Sequence, residues 1–214
     1  MFRTVFLSCA DDGIGRFDTS MLSQQILMEI FIFALDNVED ICGSREKPTE
    51  VCTWKGIKCN DDGKVEAFGW AYRYADGTGT MDFKFLPRSM TRLNRPFNAL
   101  SGKIDLADLA ENMGYLRICS NELNGTLHLD DLHALMKKVI CSKNAFTGEI
   151  SLKRLPKCLN SLDLSIHKLK GTVCLTSLPP DLESLHLDRN TFEGSLDLTR
   201  LPQSLGVLIC SPAK

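Results

Sequence analysis

A glycine recurs every 23 residues along this chain, at Gly79, Gly102, Gly125, Gly148, Gly171 and Gly194. Other columns keep the same step. An asparagine lies four residues before the glycine at Asn98, Asn121, Asn144 and Asn190. A Leu-Pro pair recurs at Leu86-Pro87, Leu155-Pro156, Leu178-Pro179 and Leu201-Pro202. A unit this short cannot bury an apolar face by itself, so a fixed period of 20–50 residues implies neighbours stacked into a one-dimensional coil. A chain so built presents an extended surface rather than enclosing a pocket.

The apolar columns say how the coils stack. Leu93, Leu116, Val139, Leu162, Leu185 and Leu208 form one row, and Met90, Met113, Met136, Leu159, Leu182 and Leu205 a second. Leu100, Leu123, Phe146, Leu169 and Phe192 form a third, and Ile104, Leu127, Ile150, Val173 and Leu196 a fourth. Alternation around Leu116-Arg117-Ile118 predicts a short parallel strand with one face inward. The alternating stretch after each glycine predicts a second, narrower parallel sheet. A degenerate unit precedes the first, with Trp70, Tyr72, Gly79, Met81 and Phe83 on the same register.

The period and leucine spacing are those of a leucine-rich repeat. The half-unit Asn-x-[Leu/Phe]-x-Gly-x-[Ile/Leu/Val]-x-Leu resembles the plant-type class. The Leu-Pro-x-x-[Leu/Met] opening resembles the repeats of trypanosomatid parasites and their relatives. The expected fold is an α/β solenoid, a horseshoe made mostly of short parallel strands with an N-terminal capping helix. Residues 1–19 read as a loosely ordered leader, 20–62 as an N-terminal cap and 63–214 as repeats, the last incomplete.

Within the cap, Ser20 or Ser23 can start a helix by accepting from a free backbone N–H. Ile26, Leu27, Ile30, Phe31, Ala34 and Leu35 then recur at helical spacing. Met28, Ile32 and Phe33 widen the face, which predicts a helix buried on two sides. The string Cys52-Thr53-Trp54-Lys55-Gly56-Ile57-Lys58-Cys59 resembles the Cys-x-Trp-x-Gly-Val-x-Cys element of plant-type N-terminal caps. That resemblance implies a Cys52–Cys59 disulfide, with Trp54 packed under the helix. Cys42 has no obvious mate.

Asn98, Asn121, Asn144 and Asn190 are expected to point inward. A carboxamide both donates and accepts, so it can satisfy backbone groups of adjacent turns. His167 stands in that column and interrupts it. Cys141 and Cys210 fall on inward positions as small apolar fillers, Cys119 on an outward one, and Cys158 and Cys174 on different sides of a coil. So many unpaired thiols suit a reducing compartment, whereas a cap disulfide suits an oxidising one. Met1 to Leu7 reaches Asp11-Asp12 too soon to form a signal-peptide core. If Met1 is the true start the protein is intracellular; a signal upstream of Met1 would place it at the surface or outside.

The formal charge is −2, so no strong field draws nucleic acid. No apolar run reaches the 18 residues of a membrane-spanning helix. Neither phosphate loop nor zinc-type cysteine pairs appear, and Asp61-Asp62-Gly63 reads as a turn rather than a calcium loop. No cofactor, no metal and no catalysis are expected.

The outward strand positions line the concave face. Their first column is Arg92, Tyr115, Lys138, Ser161, Ser184 and Val207, and their middle column Asn94, Arg117, Ile140, Asp163, His186 and Ile209. The third is Pro96, Cys119, Ser142, Ser165, Asp188 and Ser211. Arg92, Tyr115, Arg117 and Lys138 make a basic patch, and Asp163, His186 and Asp188 an acidic one in which Asp163 can touch His186. A Ser165–His186–Asp163 triad would lack an oxyanion hole on an open sheet, because strand amides are committed to the ladder. The expected role is non-catalytic recognition of a protein or peptide through this face, which fits the receptors, inhibitors and scaffolds the resemblance implies. Two other readings remain. One is a structural protein assembling end to end through an uncapped last repeat, or a truncated receptor ectodomain. The other is a regulatory or inhibitory subunit of an enzyme.

Overall fold

The computed structural model describes residues 19–71 and 74–210, with residues 74–77 described by backbone alone. The expected leader, residues 1–19, lies outside the described residues except for Thr19, and so do Tyr72 and Ser211.

Two helices open the described chain, α1 (Gln24–Phe33) and the single turn α2 (Glu39–Cys42). Strands β1 (Ile57–Cys59), β2 (Val65–Gly69) and β3 (Tyr74–Gly79) follow. From there each 23-residue coil contributes one strand to each of two sheets. The larger sheet adds β4 (Arg92–Asn94), β6 (Tyr115–Arg117), β8 (Lys138–Ile140), β10 (Ser161–Asp163), β12 (Ser184–His186) and β14 (Val207–Ile209). The smaller adds β5 (Asn98–Lys103), β7 (Glu122–Gly125), β9 (Ala145–Gly148), β11 (Lys168–Thr172) and β13 (Thr191–Glu193). The larger sheet runs β1-β2-β4-β6-β8-β10-β12-β14 and the smaller β13-β11-β9-β7-β5-β3. Among the described strands only the β1–β2 pair is antiparallel.

Register in the larger sheet follows the period. Leu93 pairs with Leu116, Leu116 with Val139, Val139 with Leu162, and Leu162 with Leu185. These five side chains are buried. Each contributes about 1.5–3 kcal/mol by leaving water, which only stacking makes available. Burial thins out toward the C-terminal coils. Leu196 and Leu198 are exposed, whereas their counterparts one repeat earlier, Val173 and Leu175, are buried.

In α1, Ser23 is the N-cap, accepting from the Ile26 N–H at 3.3 Å. Leu27, Met28, Phe31, Ile32 and the following Leu35 are buried, while Ile26 and Phe33 are exposed. The helix therefore buries one face, not two. Phe31 makes edge contacts with Phe68 and Phe83, and the Arg45 guanidinium covers the exposed Phe33 ring. Leu35, just beyond the helix, bridges to Gly79. Gly79 has φ +110°, and a Cβ there would fall on the Ala34 carbonyl oxygen. Only glycine allows this junction.

The degenerate unit is out of step with the sequence ruler. Phe68, not Trp70, is the register partner of Leu93. Phe68 and Gly79 are 11 residues apart, whereas Leu93 and Gly102 are 9 apart. Two additional residues between the sheets moved the strand back by the same amount.

Candidate recognition surface

The open face of the larger sheet carries the first two outward columns in register. Arg92 pairs with Tyr115, Tyr115 with Lys138 and Lys138 with Ser161; Arg117 pairs with Ile140, Ile140 with Asp163 and Asp163 with His186. Parallel neighbours stand about 4.8 Å apart, so Arg92, Tyr115, Arg117 and Lys138 share one patch. The Arg92 guanidinium stacks on the Tyr115 ring at 4.6 Å. Contact with the Cys119 thiol, and then with Tyr115, holds the Arg117 guanidinium charged against the opposing pull of burial. Among the described residues no carboxylate pairs with Arg92, Arg117 or Lys138.

The acidic zone is arranged differently from the sequence expectation. Asp163 Oδ1 accepts both the Ser165 hydroxyl at 2.7 Å and the Ser165 N–H at 3.0 Å. No hydrogen bond or ion pair links Asp163 to His186. The Ser165 hydroxyl therefore faces a carboxylate, not an imidazole. Asp188 lies 3.9 Å from Arg189, a surface contact of little energetic weight. No group of three His, Cys, Asp or Glu among the described residues could hold a metal ion. No described helix is long and apolar enough to cross a membrane.

Cys119 is buried, contrary to its outward assignment, and Pro96 and Ser165 in the same column are buried too. The next residue of each coil, Phe97, Ser120, Lys143, Ile166 or Arg189, has φ between 55° and 60°, and the strand ends there. Ser142 and Asp188, before the same turn, are only half-buried. Two contacts escaped the column reading, Ser165 to Asp163 and Cys119 to Arg117. Both join residues i and i+2 on one strand face, so period-two alternation was the available signal.

Beneath the face lies the amide column. Asn98 donates to the Trp70, Arg95 and Pro96 carbonyls. Asn121 donates to Arg95, Ile118 and Cys119 and accepts from the Leu100 N–H. Asn144 and Asn190 repeat this, accepting from Leu123 and Leu169. At His167 the pattern changes. Nδ1 accepts from the Asn144 N–H at 3.2 Å, and buried Nε2 has no partner. Burial lowers the His167 pKa, so the neutral ring is favoured. Cys52 and Cys59 are disulfide-bonded. Trp54 is buried, its Nε1–H donating to the Thr49 carbonyl at 2.9 Å. Cys42 is a buried free thiol.

Arg95 had no assigned role from sequence. It occupies an inward position and is 1% exposed. Its guanidinium lies 4.9 Å from the Phe68 ring centroid, and neither Nε nor Nη1 has a hydrogen-bond partner. Burial lowers its pKa to about 9.

Solved structures with this arrangement of coils are similar over most of the chain. Pollen receptor kinase 3 superposes with a TM-score of 0.67 at 19% identity, covering 85% of this chain and 95% of that one. The fold is that of a leucine-rich repeat solenoid. The ectodomain of the Arabidopsis thaliana receptor kinase SOBIR1 gives 0.65 at 16% identity, covering 82% and 98%. The leucine-rich repeat ectodomain of Arabidopsis thaliana GASSHO1/SCHENGEN3, in complex with CASPARIAN STRIP INTEGRITY FACTOR 2, gives 0.68 at 21%, covering 89% of this chain and 24% of that one. At these identities the likeness is one of fold. No protein-family model matches the sequence, and no curated protein does.

Proposed function

We propose that this leucine-rich repeat solenoid is a non-catalytic module that recognises a protein or peptide through the open face of its larger sheet. The carrying observation is the cluster of Arg92, Arg117 and Lys138, with Arg92 stacked on Tyr115 and no carboxylate partner for any of the three among the described residues. Charges left unpaired on an open face steer and orient a complementary partner. GASSHO1/SCHENGEN3 and PEPR1, similar to this chain in fold, are solved with CASPARIAN STRIP INTEGRITY FACTOR 2 and AtPEP1 respectively. That supports recognition as the use of this solenoid. Arg117→Ala with Lys138→Ala should weaken binding of a purified partner while leaving thermal stability near wild type. Unchanged affinity refutes the assignment.

Self-association is a second reading, favoured by one observation. Val207 and Ile209 on the edge strand β14 are 42% and 43% exposed. Exposed apolar side chains on one strand face can seat a second copy of the chain. Light scattering that finds a monomer at high concentration rules it out.

A further inference from the structure

The concave face is mostly polar from β4 to β12, and the order of its charges specifies more than a generally acidic partner. The middle column reads Arg117, Ile140, Asp163 on three adjacent strands, in register. Lys138 lies beside Ile140 on β8, and Arg92 stacks on Tyr115 two strands before Asp163's neighbour β8 ends the basic zone. The cations therefore occupy β4, β6 and β8, and the carboxylates Asp163 and Asp188 lie on and just after β10 and β12. An apolar side chain, Ile140, stands at the changeover.

We infer that the partner is an extended protein segment lying across the strands with its own charges segregated, acidic side chains over β4–β8, an apolar one over Ile140, and a basic one over Asp163. This rests on the concave face being the recognition surface. Strand spacing sets the register of the segment. Arg117 and Asp163 are two strand intervals apart, roughly 10 Å, which is about three residues of extended chain. The complementary segment therefore reads acidic, then apolar, then basic about three positions after the acid.

The side chains are prepared for this. Arg92 is already ordered on the Tyr115 ring, so less freedom is lost on docking. Asp163 is fixed through Oδ1 by two donors from Ser165, which leaves Oδ2 for a partner cation. The two zones do not cancel one another, since no ion pair joins them among the described residues. A uniformly acidic segment would place like charges against Asp163 and Asp188, and a uniformly basic one against Arg117 and Lys138. Both are rejected by repulsion, so the pattern supplies specificity as well as attraction.

The test is selection from a random displayed-peptide library against the full chain, then fluorescence anisotropy of the enriched peptides. Four proteins are compared: wild type, Arg117→Ala/Lys138→Ala, Asp163→Asn/Asp188→Asn, and Asp163→Lys/Asp188→Lys. Enriched peptides should carry the segregated pattern, and each of the first two variants should bind them about tenfold more weakly. The lysine variant should invert preference, binding uniformly acidic peptides about tenfold more tightly than segregated ones. If the lysine variant fails to melt cooperatively, the asparagine variant decides by losing its discrimination against uniformly acidic peptides. Enriched peptides without charge segregation that still require Arg117 and Lys138 overturn this inference and leave concave recognition standing. Peptides indifferent to every concave substitution, or no enrichment, overturn both.

Discussion

The body of the solenoid and its N-terminal end solve the same burial problem by different means. From β4 to β12 the main stabilising contacts recur at 23-residue intervals. The leucine row, the asparagine column and the left-handed turn each recur, and a defect in one coil leaves the others intact. Around α1 and the first strands the main contacts are singular. Phe31 wedges between Phe68 and Phe83, Gln25 bridges to Thr49 and Val51, a disulfide closes the loop at Trp54, and a buried guanidinium lies against Phe68. A repeat can distribute its interactions, whereas an end must cover its open row with singular ones. The body is thus forgiving and the end is not.

The sharpest way to break this comparison is Phe31→Ala. It removes a fully buried ring from the N-terminal junction and should cost about 3–5 kcal/mol, read by denaturant unfolding. A loss as small as that of a surface substitution would show that α1 does not secure the end. Cys52→Ser/Cys59→Ser comes next. Opening this short loop should cost about 2–3 kcal/mol, and wild-type protein under reductant should match the variant. Arg95→Met runs in the opposite direction. It replaces an unpaired buried cation with an apolar side chain of similar length and should raise stability by about 1–2 kcal/mol. A lower melting temperature would mean that the contact with Phe68 outweighs desolvation.

The smallest effect tests the body. His167→Asn restores the amide column and should matter mainly in acid. The folded-state pKa of His167 is lowered by burial, so the unfolded chain takes up a proton first as pH falls. Its neutral-ring stability is complete above the ordinary histidine value of about 6.5 and is lost as pH drops below it. A protonated Nδ1 would also confront the Asn144 N–H with a second donor. Melting at pH 7 and pH 5 should therefore fall more in wild type than in the variant, by about 1 kcal/mol. Equal slopes would assign the acid response elsewhere. Asp163, on the same coil, is the charged neighbour to examine.

Where the sequence could be read depended on repetition. The leucine and asparagine columns were visible because six apolar residues and four asparagines agree. Two further columns were present but overlooked. Asp82, Asp105, Ser151 and Asp197 each accept from the backbone N–H two residues on. Ser89, Asn112, Cys158 and Ser204 each donate to carbonyls of the preceding coil. Their residue types vary while the hydrogen bond stays, so identity alone concealed them. On the candidate surface, the columns and charges followed from register. The Asp163–His186 contact did not form, because a nearer donor, Ser165, shares the strand face.

Periodicity by itself determined the stacking, the inward rows and which residues lie side by side on the open face. Those follow from a period that only one coil geometry satisfies. Tertiary structure alone decided the burial of Arg95 over Phe68, the displacement that puts Phe68 rather than Trp70 beside Leu93, and the burial of Cys119. Each depends on packing at a place where the repeat is broken or the strand ends, and there a linear pattern no longer specifies which atoms meet.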